Sequence, residues 1–201
     1  MLDWPVIAYR IDAADRFASV NKAWAEAAAG DGRPELLPPG ILGRSLWEAI
    51  GDPAAHQLYG ALVGRVRAGA GPVSLVFRCD TPRQRRLLRL RIAATARQGV
   101  DFEARFLAVQ DRPPVALLDR GARRSRQLLR ICAWCKRVPM ADGRWVEVEE
   151  ALDRLDLLDA AVLPQLTHGI CPACDATLDA ALRKAPSREP SDIVMGDRLP
   201  P

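Results

Sequence analysis

Period-two alternation organises the middle of the chain. Val73, Leu75, Phe77 and Cys79 alternate with Ser74, Val76 and Arg78; Leu88, Leu90 and Ile92 alternate with Arg89 and Arg91. Phe102, Ala104 and Phe106 do the same with Glu103 and Arg105. Each run predicts a strand with one buried and one wet face, as in an antiparallel sheet covered on one side by helices. Residues 5–12 and 17–21 predict two shorter strands around a turn at Ala13-Ala14-Asp15, followed by a helix through Trp24 to Ala29. Leu58, Leu62 and Val66 recur every four residues, so 53–68 reads as an amphipathic helix packed on the sheet.

Local signals set the breaks. Gly30 to Gly40, with Pro34, Pro38 and Pro39, predicts a loop. Ser45 with Glu48 three residues on is a capping-box signature, opening a short helix through Trp47 that stops at Gly51. Asp52-Pro53 then supplies an N-cap followed by proline at the first helical position. The predicted order is two strands, several helices, then three strands, an α+β arrangement.

Composition limits the classes that fit. The 201 residues, 49% hydrophobic and 27% charged, suffice for one ordinary core plus a small second unit. No stretch approaches the ~18 apolar residues of a membrane span. Met1-Leu2-Asp3-Trp4-Pro5 has neither the basic nor the apolar region of a secretory leader, so a cytoplasmic location is expected. The formal charge of +4 comes almost wholly from arginine, beside heavy Ala and Pro usage that suits a GC-rich genome. Charge by itself therefore does not point to nucleic acid.

After Asp111-Arg112-Pro113-Pro114 the pattern changes. Arg120, Arg123, Arg124, Arg126 and Arg130 fall at uneven spacing without interleaved aromatic residues. The run predicts a solvated basic linker helix over 113–130, with a nucleic-acid contact as the other reading. Asp142-Gly143 between Lys136–Met140 and Arg144–Val148 is a hairpin signal, and Val148, Leu152 and Leu155 mark a helix. A last helix is expected over Asp175–Leu182.

Two tight clusters carry the candidate chemistry: Cys132-x2-Cys135, then His168-x2-Cys171-x2-Cys174. Paired thiols at this spacing can turn onto one tetrahedral ion, and a sulfur-rich set suits zinc or iron rather than magnesium or calcium. Without an export signal, such pairs favour metal or redox use over a disulfide frame. Five candidates compete for four positions. Cys132, Cys135, Cys171 and Cys174 make a complete set, leaving His168 to donate to the ligand loop from outside. The alternative is three thiolates plus His168, with one thiol left free. A closed four-ligand site holds Zn²⁺ structurally and has no open position for hydrolysis. An iron–sulfur cluster on the same cysteines is chemically permitted.

Ile7-Ala8-Tyr9-Arg10-Ile11-Asp12, followed by Phe17-Ala18-Ser19-Val20-Asn21-Lys22-Ala23-Trp24, resembles the opening of a PAS domain, and Gly43-Arg44-Ser45-Leu46-Trp47 resembles a later PAS segment. This resemblance covers roughly residues 4–110 and implies a sensor or interaction domain that often dimerises. Knuckle, hairpin and a ligand pair at a helix start are similar to a treble-clef zinc site. Ile131 through Lys136, Gly143-Arg144-Trp145, and His168 through Cys174 further resemble a C-terminal module of bacterial PAS, GAF and receiver-domain signalling proteins. The resemblance implies a regulatory protein.

The expected division is a PAS-like domain at 1–112, a basic linker helix at 113–130, a treble-clef-like zinc module at 131–185 and a disordered tail at 186–201. The leading expectation is a cytoplasmic bacterial signal-transduction protein, not an enzyme, acting through a protein partner or a second copy of itself, with no membrane contact. A zinc-dependent nucleic-acid-binding regulator and a thiol redox sensor are the alternatives. The ligand of the PAS-like domain has no sequence signature. Cys79 reads as a buried core thiol and His56 as an exposed residue rather than a haem ligand. Glu147, Glu149, Glu150, Asp156 and Asp159 read as a solvated acidic face, and no phosphate loop, nucleophile elbow or kinase signature occurs.

Overall fold

The computed structural model describes residues 4–50 and 53–183; Gly51, the Asp52 cap and the tail expected at 186–201 lie outside the described residues. Five strands form one antiparallel sheet in the order β2-β1-β5-β4-β3. They are β1 (Ile7–Ile11), β2 (Phe17–Val20), β3 (Val73–Arg78), β4 (Gln84–Ala94) and β5 (Val100–Asp111). The alternating runs lie in β3, β4 and β5 as predicted, with Leu75 opposite Leu90 and Ile92 opposite Phe102. Both β4 and β5 extend beyond the alternation because a register shift at Leu87/Leu88 breaks the period while pairing continues to Gln84–Asp111.

Helices α1 (Lys22–Gly30), α2 (Leu46–Ile50) and α3 (Pro53–Arg67) occur where expected, with a 3₁₀ turn at Pro34–Leu36 inside the predicted loop. Asn21 starts α1: its side chain accepts the Trp24 N–H and also ties down β1 through Ala8 and Val6. Ser45 Oγ accepts the Trp47 N–H at 3.2 Å, while Glu48 sits 3.8 Å from Arg44 instead of closing the capping box. Leu58, Leu62 and Val66 face a core completed by Ile11, Phe17, Val73, Leu75, Leu90, Ile92 and Phe102.

The second half departs from expectation in two ways. The predicted basic linker helix is instead a 3₁₀ turn at Ala116–Leu118 followed by strand β6 (Arg124–Cys132). β6 pairs in parallel with β9 (Leu163–Gly169), so its backbone hydrogen bonds are met by a partner distant in sequence, and Val115 and Leu117 are buried beneath it. The hairpin shrinks to β7 (Val138–Pro139) and β8 (Trp145–Val146) around Gly143, whose φ of +82° is the left-handed conformation that Asp-Gly turns require. α4 (Val148–Arg154) follows, and α5 (Pro172–Arg183) begins three residues before the predicted start.

Nor is the second unit a detached appendage. It has a small core of its own around Ile131, Val138, Val148, Leu152 and Leu163. Yet Cys132, Trp134, Cys171 and Leu178 belong to the main core beside Val73 and Leu75. No helix among the described residues is long and apolar enough to cross a membrane.

Candidate metal centre

Cys132 ends β6, and the chain doubles back at once. Cys132 N–H donates to the Arg137 carbonyl at 2.7 Å, and Lys136 N–H donates to the Cys132 carbonyl at 3.0 Å. Lys136 takes a positive φ of 65° to close this knuckle. On the other side β9 runs into Cys171, just ahead of α5, and the Cys171 carbonyl accepts the Asp175 N–H at 2.9 Å. Cys174 lies in the first helical turn. The parallel pairing of β6 with β9 sets Cys132 opposite Gly169 and so brings the two clusters together.

The sulfurs of Cys132, Cys135, Cys171 and Cys174 all lie within 4.8 Å of one another. Cys132 and Cys171 are buried, and Cys135 and Cys174 half-buried. His168 stands outside this group, exposed on β9 opposite Ile131. Two backbone N–H groups already aim at sulfur: Cys171 N at Cys132 Sγ and Cys174 N at Cys171 Sγ, both at 3.4 Å. Such donors, with the helix N-terminus behind Cys174, stabilise thiolate.

Charge makes the same point. The neighbouring Cys135 thiol holds Cys132 well below its ordinary value against the cost of burial, helped by the N–H groups of Cys135, Cys171 and Trp134. Cys135 is pushed up because it keeps the proton it shares with Cys132, and Cys174 rises to about 12 chiefly through burial. Four thiols this close cannot all ionise without a cation among them. The donor set therefore fits a soft divalent ion; Zn²⁺ held by these four side chains would act as a cross-link between β6 and α5.

The knuckle is also spliced onto the sheet. Trp134, between the first two cysteines, is buried; its indole N–H donates to the Val76 carbonyl at 2.7 Å and its own carbonyl accepts the Arg78 N–H at 2.9 Å. Its ring packs against Phe77 with centroids 5.5 Å apart. These contacts cover the outer edge of β3, an edge that would otherwise offer unpaired backbone groups.

A second tie was not visible in the sequence. Glu147 and Glu149, part of the expected solvated face, instead meet arginines from the sheet. Arg78 bonds both Asp80 and Glu147, and Arg112 reaches Glu149 at 2.6 Å and Asp80 at 3.2 Å. Arg85 and Arg137 complete the cluster on Glu149 and Glu147 at 3.0 Å each. Burial opposes charge on both glutamates, but hydrogen bonds outweigh it and hold them below their ordinary value: from Arg78 and Arg137 on Glu147, and from its own backbone N–H, then Arg112 and Arg85, on Glu149. Glu150, Asp156 and Asp159 are exposed, as expected.

The remaining candidates divide. Two of the arginines at 120–130 are engaged: Arg124 donates to the carbonyls of Leu117, Asp119 and Pro164, and the Arg130 guanidinium lies 5.6 Å from the Trp145 ring centre. His56 is half-buried rather than exposed, its Nε2 2.6 Å from the Trp47 carbonyl. Cys79 is only half-buried, with Arg86 Nη2 donating to its sulfur at 3.7 Å.

No protein-family model matches the chain, and no curated protein matches it. Among solved structures, the chain is similar to the PAS domain of BvgS from Bordetella pertussis, at 20% identity and a TM-score of 0.37, over 52% of this chain and 74% of that one.

Proposed function

We propose that the chain is a bacterial signal-transduction protein in which a PAS-like sensor or interaction domain is held to a structural, treble-clef-like zinc module. The observation that carries this reading is the closed set of four thiols whose knuckle is hydrogen-bonded into the edge of the sheet. A metal placed there rigidifies a junction; it leaves no open position for substrate, so the protein is not a zinc hydrolase. Output passes through contacts with a protein partner or a second copy, in the cytoplasm. Nucleic acid is not called on: Arg124 is spent on backbone carbonyls and Arg130 on an aromatic face, and the exposed Arg120, Arg123 and Arg126 are unevenly spaced with no aromatic residue among them.

The test is metal analysis and an absorption spectrum of protein purified without added metal. About one zinc per chain and no visible colour are expected, with the metal lost in Cys171→Ser. Full zinc retention in Cys171→Ser would sink the four-thiolate assignment. A brown protein would replace zinc by an iron–sulfur cluster, and reversible zinc release by mild peroxide would favour a redox sensor.

A further inference from the structure

Between the inner face of the sheet and helices α1 and α3 lies a cavity of about 290 Å³. Trp24, Leu36, Phe77 and Leu90 make its walls apolar and aromatic. Two phenols, Tyr9 and Tyr59, also line it. The Trp24 indole N–H is already given to the Leu36 carbonyl at 2.9 Å. Neither phenol hydroxyl is hydrogen-bonded to another described residue. Burial raises both phenols, Tyr59 to about 12 and Tyr9 well above its ordinary value, so both stay protonated and act as donors.

The charges near the cavity are all engaged. Arg86 gives both terminal nitrogens to the Asp31 carboxylate, at 3.1 and 3.0 Å, and its Nε to the Cys79 carbonyl. Arg33 pairs with Glu35 at 2.9 Å. Asp31 lines both this cavity and a larger neighbouring one that Arg86 also lines, so the ion pair lies where the two adjoin. An anion entering here would meet a carboxylate and find no unpaired cation, and an uncompensated buried charge is strongly disfavoured. A cation would give up its hydration with no carboxylate free to pair with it, since Asp31 is already bound to Arg86. The volume is near the lower bound of ordinary small-molecule pockets, about 300 Å³, which suits one ring rather than a macrocycle.

We propose that this cavity binds a small, uncharged, single-ring aromatic carbonyl compound, its ring between the aromatic walls and its oxygen accepting from Tyr9 and Tyr59. The proposal rests on the sensor reading of the sheet domain and names the class of ligand that domain takes. The apolar walls supply affinity and the phenols supply selection, because a ligand without an acceptor leaves both donors unmet.

The experiment is calorimetric titration of the full chain, purified without added metal, with three probes of similar size: acetophenone, benzoate and toluene. Acetophenone is expected to bind at least about tenfold more tightly than benzoate. Tyr9→Phe and Tyr59→Phe keep the rings, and thermal melts check that they keep the fold. Each is expected to weaken acetophenone about tenfold, the worth of one buried hydrogen bond, while leaving toluene unchanged. No detectable acetophenone binding, equal or tighter benzoate binding, or unchanged acetophenone affinity in both variants would overturn the proposal. Zinc content measured on the same samples separates the two claims: acetophenone binding by a zinc-free protein would refute the metal reading alone.

Discussion

Trp134 is the side chain on which the junction of metal knuckle and sheet can be tested most directly. Replacing it with Phe keeps most of the ring contact with Phe77 but removes the N–H that the Val76 carbonyl accepts at 2.7 Å. One such hydrogen bond contributes about 1 kcal/mol net. Replacing it with Ala removes a buried ring as well, and large aromatic-to-Ala changes in a core cost about 3–5 kcal/mol. Each kcal/mol lowers the melting temperature of a domain of this size by about 2–4 °C. Trp134→Phe should therefore lower it by about 2–4 °C, and Trp134→Ala by about 6–20 °C. The assay follows the melt by circular dichroism while a chromogenic chelator reports zinc release in the same cuvette. If the knuckle is part of the sheet's edge, both signals move down together in each variant. Zinc release that shifts while the sheet melts unchanged would refute the splice and return the metal unit to the status of an appendage.

Two other outcomes follow from the charges. Asp80 has a fully buried side chain bound to Arg78 and Arg112, so Asp80→Ala leaves Arg78 with Glu147 and Arg112 with Glu149 and should cost about 1.5–3 kcal/mol in a urea melt. A loss within experimental error would show that the cluster is not a structural tie. The second outcome concerns pH. Glu149 is held below its ordinary value of 4.5, so the folded chain releases this proton more readily than the unfolded one. Its contribution is fully present above about pH 4.5 and disappears as pH falls through the lower folded value. The stability gap between wild type and Glu149→Gln should accordingly be full at neutral pH and close in acid; a gap that widens on acidification would reverse the sign of the argument.

The sheet was readable because its signal is local. Leu88, Leu90 and Ile92 show their inward face in a window of five residues, and the spacing of the Cys132 and Cys171 pairs is enough to mark four cysteines that cluster. Where the signal is not local, reading failed. Residues 124–132 form a strand only because Leu163–Gly169 lies alongside, and nothing in a run of uneven arginines points to a partner over thirty positions away. β9 itself went unseen, with a proline as its second residue. Glu147 and Glu149 look like any solvated helix start until Arg78, Arg85 and Arg112 are carried to them by the sheet.

These non-local features share one physical cause. A unit whose own core is a handful of valines, leucines and isoleucines buries too little apolar surface to hold its fold against chain entropy. A metal cross-link among the four thiols would lower that entropy cost, and the edge of β3 supplies what the small core lacks: a backbone partner for Trp134 and a ring for it to pack on. The sheet gains in return, since β3 would otherwise end as an open edge. Both halves therefore meet at the same seam, where Trp134, between the first two thiols, packs on Phe77, which also lines the cavity. A ligand that moved Phe77 would therefore press directly on Trp134, the residue between Cys132 and Cys135.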